Sequence, residues 1–100
     1  MFIIIWQYQV KKENTKKFEE IYSANGDWAK LFKKSAGYLG TELFQDITNL
    51  QTYLTIDRWE SELDFQAFQT QWQAEYKLLD EQCEELTEFE TLLGRWNLKH

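Results

Sequence analysis

The run Thr52-Tyr53-Leu54-Thr55-Ile56-Asp57-Arg58-Trp59-Glu60-Ser61 decides the fold. Tyr53, Thr55, Ile56 and Trp59 are β-branched or aromatic, the types that fit a pleated, half-buried surface, so Thr52 to Trp59 reads as a strand. Ser61 follows as an N-cap, and Asp64 stands three residues on at capping-box spacing. Beyond it Phe65, Phe68, Trp72, Tyr76, Leu79, Cys83 and Leu86 recur at steps of three and four, the period of one helix face. A strand therefore runs straight into a long helix from Ser61 to about Leu86, with a break expected near Gln73.

Working outward, Tyr38 to Asp46 reads as another strand, in which Gly40 suggests a bulge. The connection Ile47 to Gln51, centred on Asn49, makes it a hairpin partner of the first. Phe2 to Val10 is an N-terminal strand with Phe2, Ile4, Trp6, Tyr8 and Val10 on one face and Ile3, Ile5, Gln7 and Gln9 on the other. Both faces begin apolar, so both are expected to be covered at that end. Asn14 is placed to cap a short helix carrying Phe18, Ile21 and Tyr22, which ends at Asn25-Gly26. Trp28, Leu31 and Phe32 mark a second short helix over Asp27 to Ser35, and Phe89 to Leu98 reads as a fourth strand.

Strand, helix, short helix, strand, strand, long helix, strand is the split βαβ pattern of an α+β, ferredoxin-like domain, here one domain over residues 1–100. The expected four-stranded antiparallel sheet carries its helices on one face. The opposite face must then show either Trp6 and Tyr8 or Ile3 and Ile5, an apolar surface rarely left in water. A second copy packing sheet to sheet with two-fold symmetry is the economical cover, giving a homodimer. Burial of roughly 800 Å² per subunit, typical of stable pairs, needs about half a dozen large side chains.

Composition narrows the function classes. With 43% hydrophobic and 28% charged residues the chain is globular, and its aromatics supply area enough for a core and for the walls of an apolar pocket. The net charge is −6, with most of the acids in the second half, which disfavours a nucleic-acid partner. The start MFIIIWQYQV has no basic leader and is too short to span a bilayer, so a cytoplasmic protein without a membrane partner is expected. Cys83 is the single cysteine, so no internal disulfide forms, and it falls on the apolar helix stripe. His100 is the single histidine, so neither a zinc site nor a His-based triad can be assembled. The glycines are scattered and form no phosphate loop. No metal and no cofactor are expected. Glu75, Asp80, Glu81, Glu84, Glu85 and Glu88 read as the wet face of the long helix.

What remains is an aromatic-lined cavity with a few polar groups. The candidates are Gln7 on the first strand, Asp57 and Arg58 near the end of the third, Trp59 at the strand–helix junction, and Phe68 and Tyr76 on the long helix. Asp57 and Arg58 are neighbours in a strand and face opposite ways, so one of them enters covered space and needs a partner there. That partner is either a structural counter-ion or a phenolic or enolic ligand.

The segments IWQYQVKKENTKKFEEIY, GDWAKLFKKSAGYLGTELFQD, YLTIDRWES followed by FQAF, and EYKLLDEQCEELTEFETLLGRW resemble the antibiotic biosynthesis monooxygenase family of the dimeric α/β-barrel superfamily. The superfamily also holds haem-degrading oxygenases, small-molecule isomerases and members with no known activity, and the function the resemblance implies here is that of its cofactor-free oxygenases of phenols. In such enzymes the substrate, deprotonated to an electron-rich enolate or phenolate, itself reduces oxygen, while the protein orients it, steadies the anion and excludes water. Trp59 matches a strand-end tryptophan shared by many members, and Gln7 falls where some carry an active-site amide. The haem-degrading branch needs a histidine on the long helix, where this chain has Tyr76, Leu79 and Cys83. Two functions stay open: a monooxygenase of an aromatic or quinol-like small molecule, or a non-catalytic, ligand-binding or stress-associated dimer of the same fold.

Overall fold

The computed structural model describes residues 1–100. β1 (Phe2–Val10) leads through a 3-10 turn into α1 (Thr15–Tyr22) and α2 (Asp27–Phe32). β2 (Tyr38–Gln45) and β3 (Thr52–Trp59) form a hairpin. α3 (Glu62–Gln71) and α4 (Gln73–Cys83) then return the chain to β4 (Thr87–Asn97). All pairings are antiparallel and the sheet order is β2-β3-β1-β4, the ferredoxin-like arrangement.

The parity of each strand follows from a few large side chains. Phe2 pairs with Trp59, and both point into the helical layer, 2% and 0% exposed. From that pair inward, Ile4, Trp6, Tyr8 and Val10 of β1 share the inner face with Asp57, Thr55 and Tyr53 of β3. Ile3, Ile5, Gln7 and Gln9 take the outer face with Arg58, Ile56, Leu54 and Thr52. Trp59 is ringed by Phe32, Tyr38, Phe65 and Phe68 with centroids 5.2–5.5 Å away. A second aromatic group stacks Phe18 on Tyr22 at 4.1 Å and sets Tyr8 edge-on to both. The expected stripe is buried, with Phe65, Phe68, Cys83 and Leu86 in the core and Trp72, Tyr76 and Leu79 packed against it, but the helix ends at Cys83 and Leu86 lies in a 3-10 turn over Glu84–Leu86.

Local signals hold with small corrections. Ser61 caps α3, accepting from Asp64 N–H at 3.1 Å while its hydroxyl donates to the Asp64 carboxylate at 2.7 Å. The helix breaks at Trp72, one residue before the expected point, so that α3 and α4 are separate. Asn14 stands at the N-cap of α1 but does not cap it; its amide donates instead to the carbonyl of Glu85, tying α1 to the end of the long helix pair. α2 is shorter than its sequence signal, ending at Phe32. Gly40 occupies a bulge opposite Arg58 with φ +139°, where a side chain would be strained.

The outer face of the sheet has no helix over it. Ile3, Ile5, Leu54 and Ile56 lie at its centre, with Phe44, Leu93 and Trp96 between 44% and 47% exposed around them. Of the two sets that the strand alternation left open, Ile3 and Ile5 face outward, and Trp6 and Tyr8 face the helices.

Candidate functional site

β3 sets Asp57 on the inner face between Ile4 of β1 and Thr41 of β2. The residue is 8% exposed. Thr41 Oγ1 donates to its Oδ1 at 2.6 Å, and the Tyr38 hydroxyl bonds Thr41 Oγ1 at 2.5 Å. Thr41 has one proton and gives it to the carboxylate, so Tyr38 donates to Thr41 and the relay runs Tyr38, Thr41, Asp57. Oδ2 of Asp57 accepts no hydrogen bond from the protein. Burial drives the carboxyl up to about 6, against the lowering effect of the Thr41 hydrogen bond. No cation neutralises it.

Asp57 opens into a cavity of about 120 Å³ between the sheet and the helices. Trp6 and Tyr8 of β1 and Thr55 of β3 form its floor. Trp28 and Phe32, one turn apart on α2, and Tyr76 of α4 form its roof, with Trp28 edge-on to Tyr76 at 5.0 Å. The Tyr8 hydroxyl is held by Thr55 Oγ1 at 2.8 Å. Tyr76 is raised to about 12, first by burial and then by Asp80, Asp57 and Glu90, so its hydroxyl stays a proton donor at neutral pH. The indole N–H of Trp28 is buried without a hydrogen-bond partner.

Asp80 of α4 and Glu90 of β4 complete the lining, and no Lys, Arg or His takes part in it. Glu90 is exposed as a residue, yet its carboxyl is partly desolvated and is raised by that and by Asp80. A shallower depression adjoins the cavity, sharing Tyr22, Asp80 and Glu90 and adding Glu84 and Glu88. On the helical side a broad polar groove of Gln66, Gln69, Thr70, Gln73 and Lys77 shares Tyr76 and Asp80 with it. The side chains of Asp, Glu, Cys and His form no group of three able to hold a metal ion.

The fold has counterparts among known proteins. The family model of the antibiotic biosynthesis monooxygenases matches residues 1–76. The chain belongs to the antibiotic biosynthesis monooxygenase family. Among solved structures it is similar to SnoaB, a cofactor-independent oxygenase from Streptomyces nogalater, with TM-score 0.80 and 14% identity over 99% of this chain and 93% of that one. A Nitrosomonas europaea protein named for the same family aligns over the whole of both chains with TM-score 0.74 and 15% identity. A conserved protein of unknown function from Bacteroides thetaiotaomicron aligns over 95% of this chain and 94% of its own, with TM-score 0.70 and 16% identity. No curated protein matches the sequence. At these identities the structural likeness establishes the fold alone.

Within this monooxygenase-family fold the six sequence candidates separate into three groups. Asp57 and Tyr76 line the cavity. Trp59 and Phe68 lie in the aromatic core behind it, fully buried, with Phe68 touching Tyr76 at 6.4 Å between centroids. Gln7 and Arg58 are on the outer face of the sheet, where Gln7 is exposed opposite Leu54 and Arg58 pairs with Glu42. Between Asp57 and Arg58 it is therefore the acid that enters covered space, and its partner is a threonine hydroxyl. The cavity residues absent from the sequence reading of the site are Trp6, Tyr8, Tyr22, Trp28, Phe32, Thr41, Thr55, Asp80 and Glu90. Trp28 and Phe32 had a usable signal, being four apart on one helix stripe. Glu90 had none, because it reaches the cavity through its pairing with Tyr8. No helix is long and apolar enough to cross a membrane.

Proposed function

We propose that this chain is a cytoplasmic, homodimeric, cofactor-independent monooxygenase of a single-ring, electron-rich phenol or quinol. The observation that carries the reading is Asp57: a buried carboxylate with one oxygen fixed by Thr41 and the other free in an aromatic cavity. A base of that kind, with its proton affinity lifted towards neutral pH by burial, suits removal of a phenolic proton. Volume sets the size class. Cavities of about 150 Å³ accept one benzene ring, and those for larger ligands begin at about 300 Å³, so about 120 Å³ favours one ring.

In the proposed reaction Asp57 takes the hydroxyl proton, and Tyr76 donates a hydrogen bond to the oxygen left behind. The ring carbon ortho to that oxygen, which bears a hydrogen and is now electron-rich, gives its electrons to dioxygen and forms a carbon–oxygen bond. Loss of water from the resulting hydroperoxide leaves a carbonyl. Phenol and dioxygen thus become quinone and water; the ring is oxidised and both oxygen atoms are reduced. Trp6, Trp28 and Phe32 hold the ring and keep water from the intermediate.

A second reading, a non-catalytic ligand-binding dimer, is favoured by one observation: no cation lines the cavity to steady an oxyanion. Oxygen uptake by metal-free protein with single-ring dihydroxyaromatics decides between them. Consumption that disappears in Asp57→Asn supports the oxygenase. Saturable binding without consumption supports the second reading.

A further inference from the structure

Asp80 and Glu90 face each other's charge at the mouth of the cavity, with Glu84 and Glu88 in the depression beside it. Asp57 lies deeper, more than nine-tenths buried, with an oxygen that accepts nothing from the protein. Trp28, Tyr76 and Trp6 line the same cavity. Carboxylates are normally kept apart or paired, and these have neither arrangement. A positive charge placed between Asp80 and Glu90 would turn their mutual repulsion into two attractions, and the adjoining aromatic rings present further favourable surface to a cation. The ring of acids also focuses a negative potential at the opening, which gathers cations and repels anions. Because these side chains are not grouped to ligate a metal ion, the occupant is organic.

We infer that the ligand of this cavity is a phenol bearing an alkylammonium chain, its ammonium held at the mouth by Asp80 and Glu90 and its ring inside against Trp28. This rests on the oxygenase reading for the phenolic end and deepens it. A substrate of this class brings the positive charge that the lining lacks, so the phenolate formed beside Asp57 belongs to a zwitterion without net charge.

The test is equilibrium binding, by calorimetry or tryptophan fluorescence, of three probes with one ring and different charge: tyramine, 4-ethylphenol and 3-(4-hydroxyphenyl)propionate. Tyramine is expected to bind about tenfold tighter than 4-ethylphenol, and the propionate more weakly than either. In Asp80→Asn and Glu90→Gln the preference for tyramine shrinks, while Glu62→Gln, an acid away from the mouth, leaves it unchanged. Equal affinity for tyramine and 4-ethylphenol, tighter binding of the propionate, or an undiminished preference in the Asp80→Asn/Glu90→Gln double variant overturns the inference. Oxygen uptake is read on the same probes. Amine-selective binding without oxygen consumption removes the oxygenase reading and keeps this one. Consumption of 4-ethylphenol with no amine preference does the reverse.

Discussion

Thr41 Oγ1 donates to Asp57 Oδ1 at 2.6 Å, the one protein hydrogen bond on a carboxylate buried in the middle of the sheet. Two influences set the acidity of this group: burial raises it, and Thr41 lowers it. Thr41→Val keeps the shape and removes the donor, so burial acts unopposed. The midpoint of Asp57, about 6 in the parent, should move up by about one pH unit, read by carbon-13 NMR of the carboxyl. The acidic limb of any oxygen-uptake profile should move with it. An unchanged or lower midpoint would show that Thr41 contributes packing alone.

The same burial makes Asp57 a cost to folding above neutral pH. Its ordinary value is 3.8 and its folded value about 6, so between these the folded state binds more protons than the unfolded one. Stability therefore falls as pH rises through that window and stays low above it. At about 1.4 kcal/mol for each tenfold in proton affinity, the whole effect is about 3 kcal/mol. Asp57→Asn removes the charge and retains an acceptor for Thr41. It should be about 1–3 kcal/mol more stable than the parent at pH 8, and level with it below pH 4, in urea unfolding. A variant less stable at pH 8 would mean that the carboxylate is paired in solution.

The contrast between fold and site follows from what local sequence can encode. The β3-to-α3 junction was legible because strand formers, cap and helix period lie in one run, and Ser61 and Asp64 bond as their spacing implies. The inward side of β3 was not, because Tyr53, Thr55 and Trp59 alternate with Leu54 and Ile56, and both sets are apolar. Only the pairing of Phe2 with Trp59 sends Asp57 in and Arg58 out. Asp80 looked like any wet-face acid. Its place beside Tyr76 at helical spacing matters only because β4 brings Glu90 up to the same opening. Gln7 lies on the outer face for the same parity reason as Arg58.

Trp59 tests the division between core and cavity. It is 0% exposed, sits in a ring of four aromatics and does not line the cavity, and its indole N–H has no partner. Trp59→Ala should cost about 3–5 kcal/mol of stability through the void it leaves. Trp59→Phe loses less volume and also removes a buried donor left unsatisfied, which itself costs about 1–3 kcal/mol, so its net cost should be well below that of alanine. Ligand affinity at a temperature where Trp59→Phe is folded should stay within about twofold of the parent. A large loss of affinity in a stable Trp59→Phe protein would place this tryptophan in the binding site after all.

The outer sheet face carries the last prediction. Ile3, Ile5, Leu54 and Ile56 form its centre, Phe44, Leu93 and Trp96 surround them, and no helix lies over them. An apolar surface of this extent on a four-stranded sheet is costly to leave in water, with Gln7 and the Arg58–Glu42 pair as polar groups at its border. Seven large side chains are enough to bury roughly 800 Å² per subunit, the area of a stable interface. The protein should therefore sediment as a dimer at micromolar concentration. Ile56→Lys places a charge at the centre of the face, where burial against another apolar sheet leaves it without a partner. That variant should sediment as a monomer at the same concentration with an unchanged far-ultraviolet circular dichroism spectrum, because Ile56 points away from the helical core. A parent protein that is monomeric at 100 µM would leave this face without a second copy to cover it.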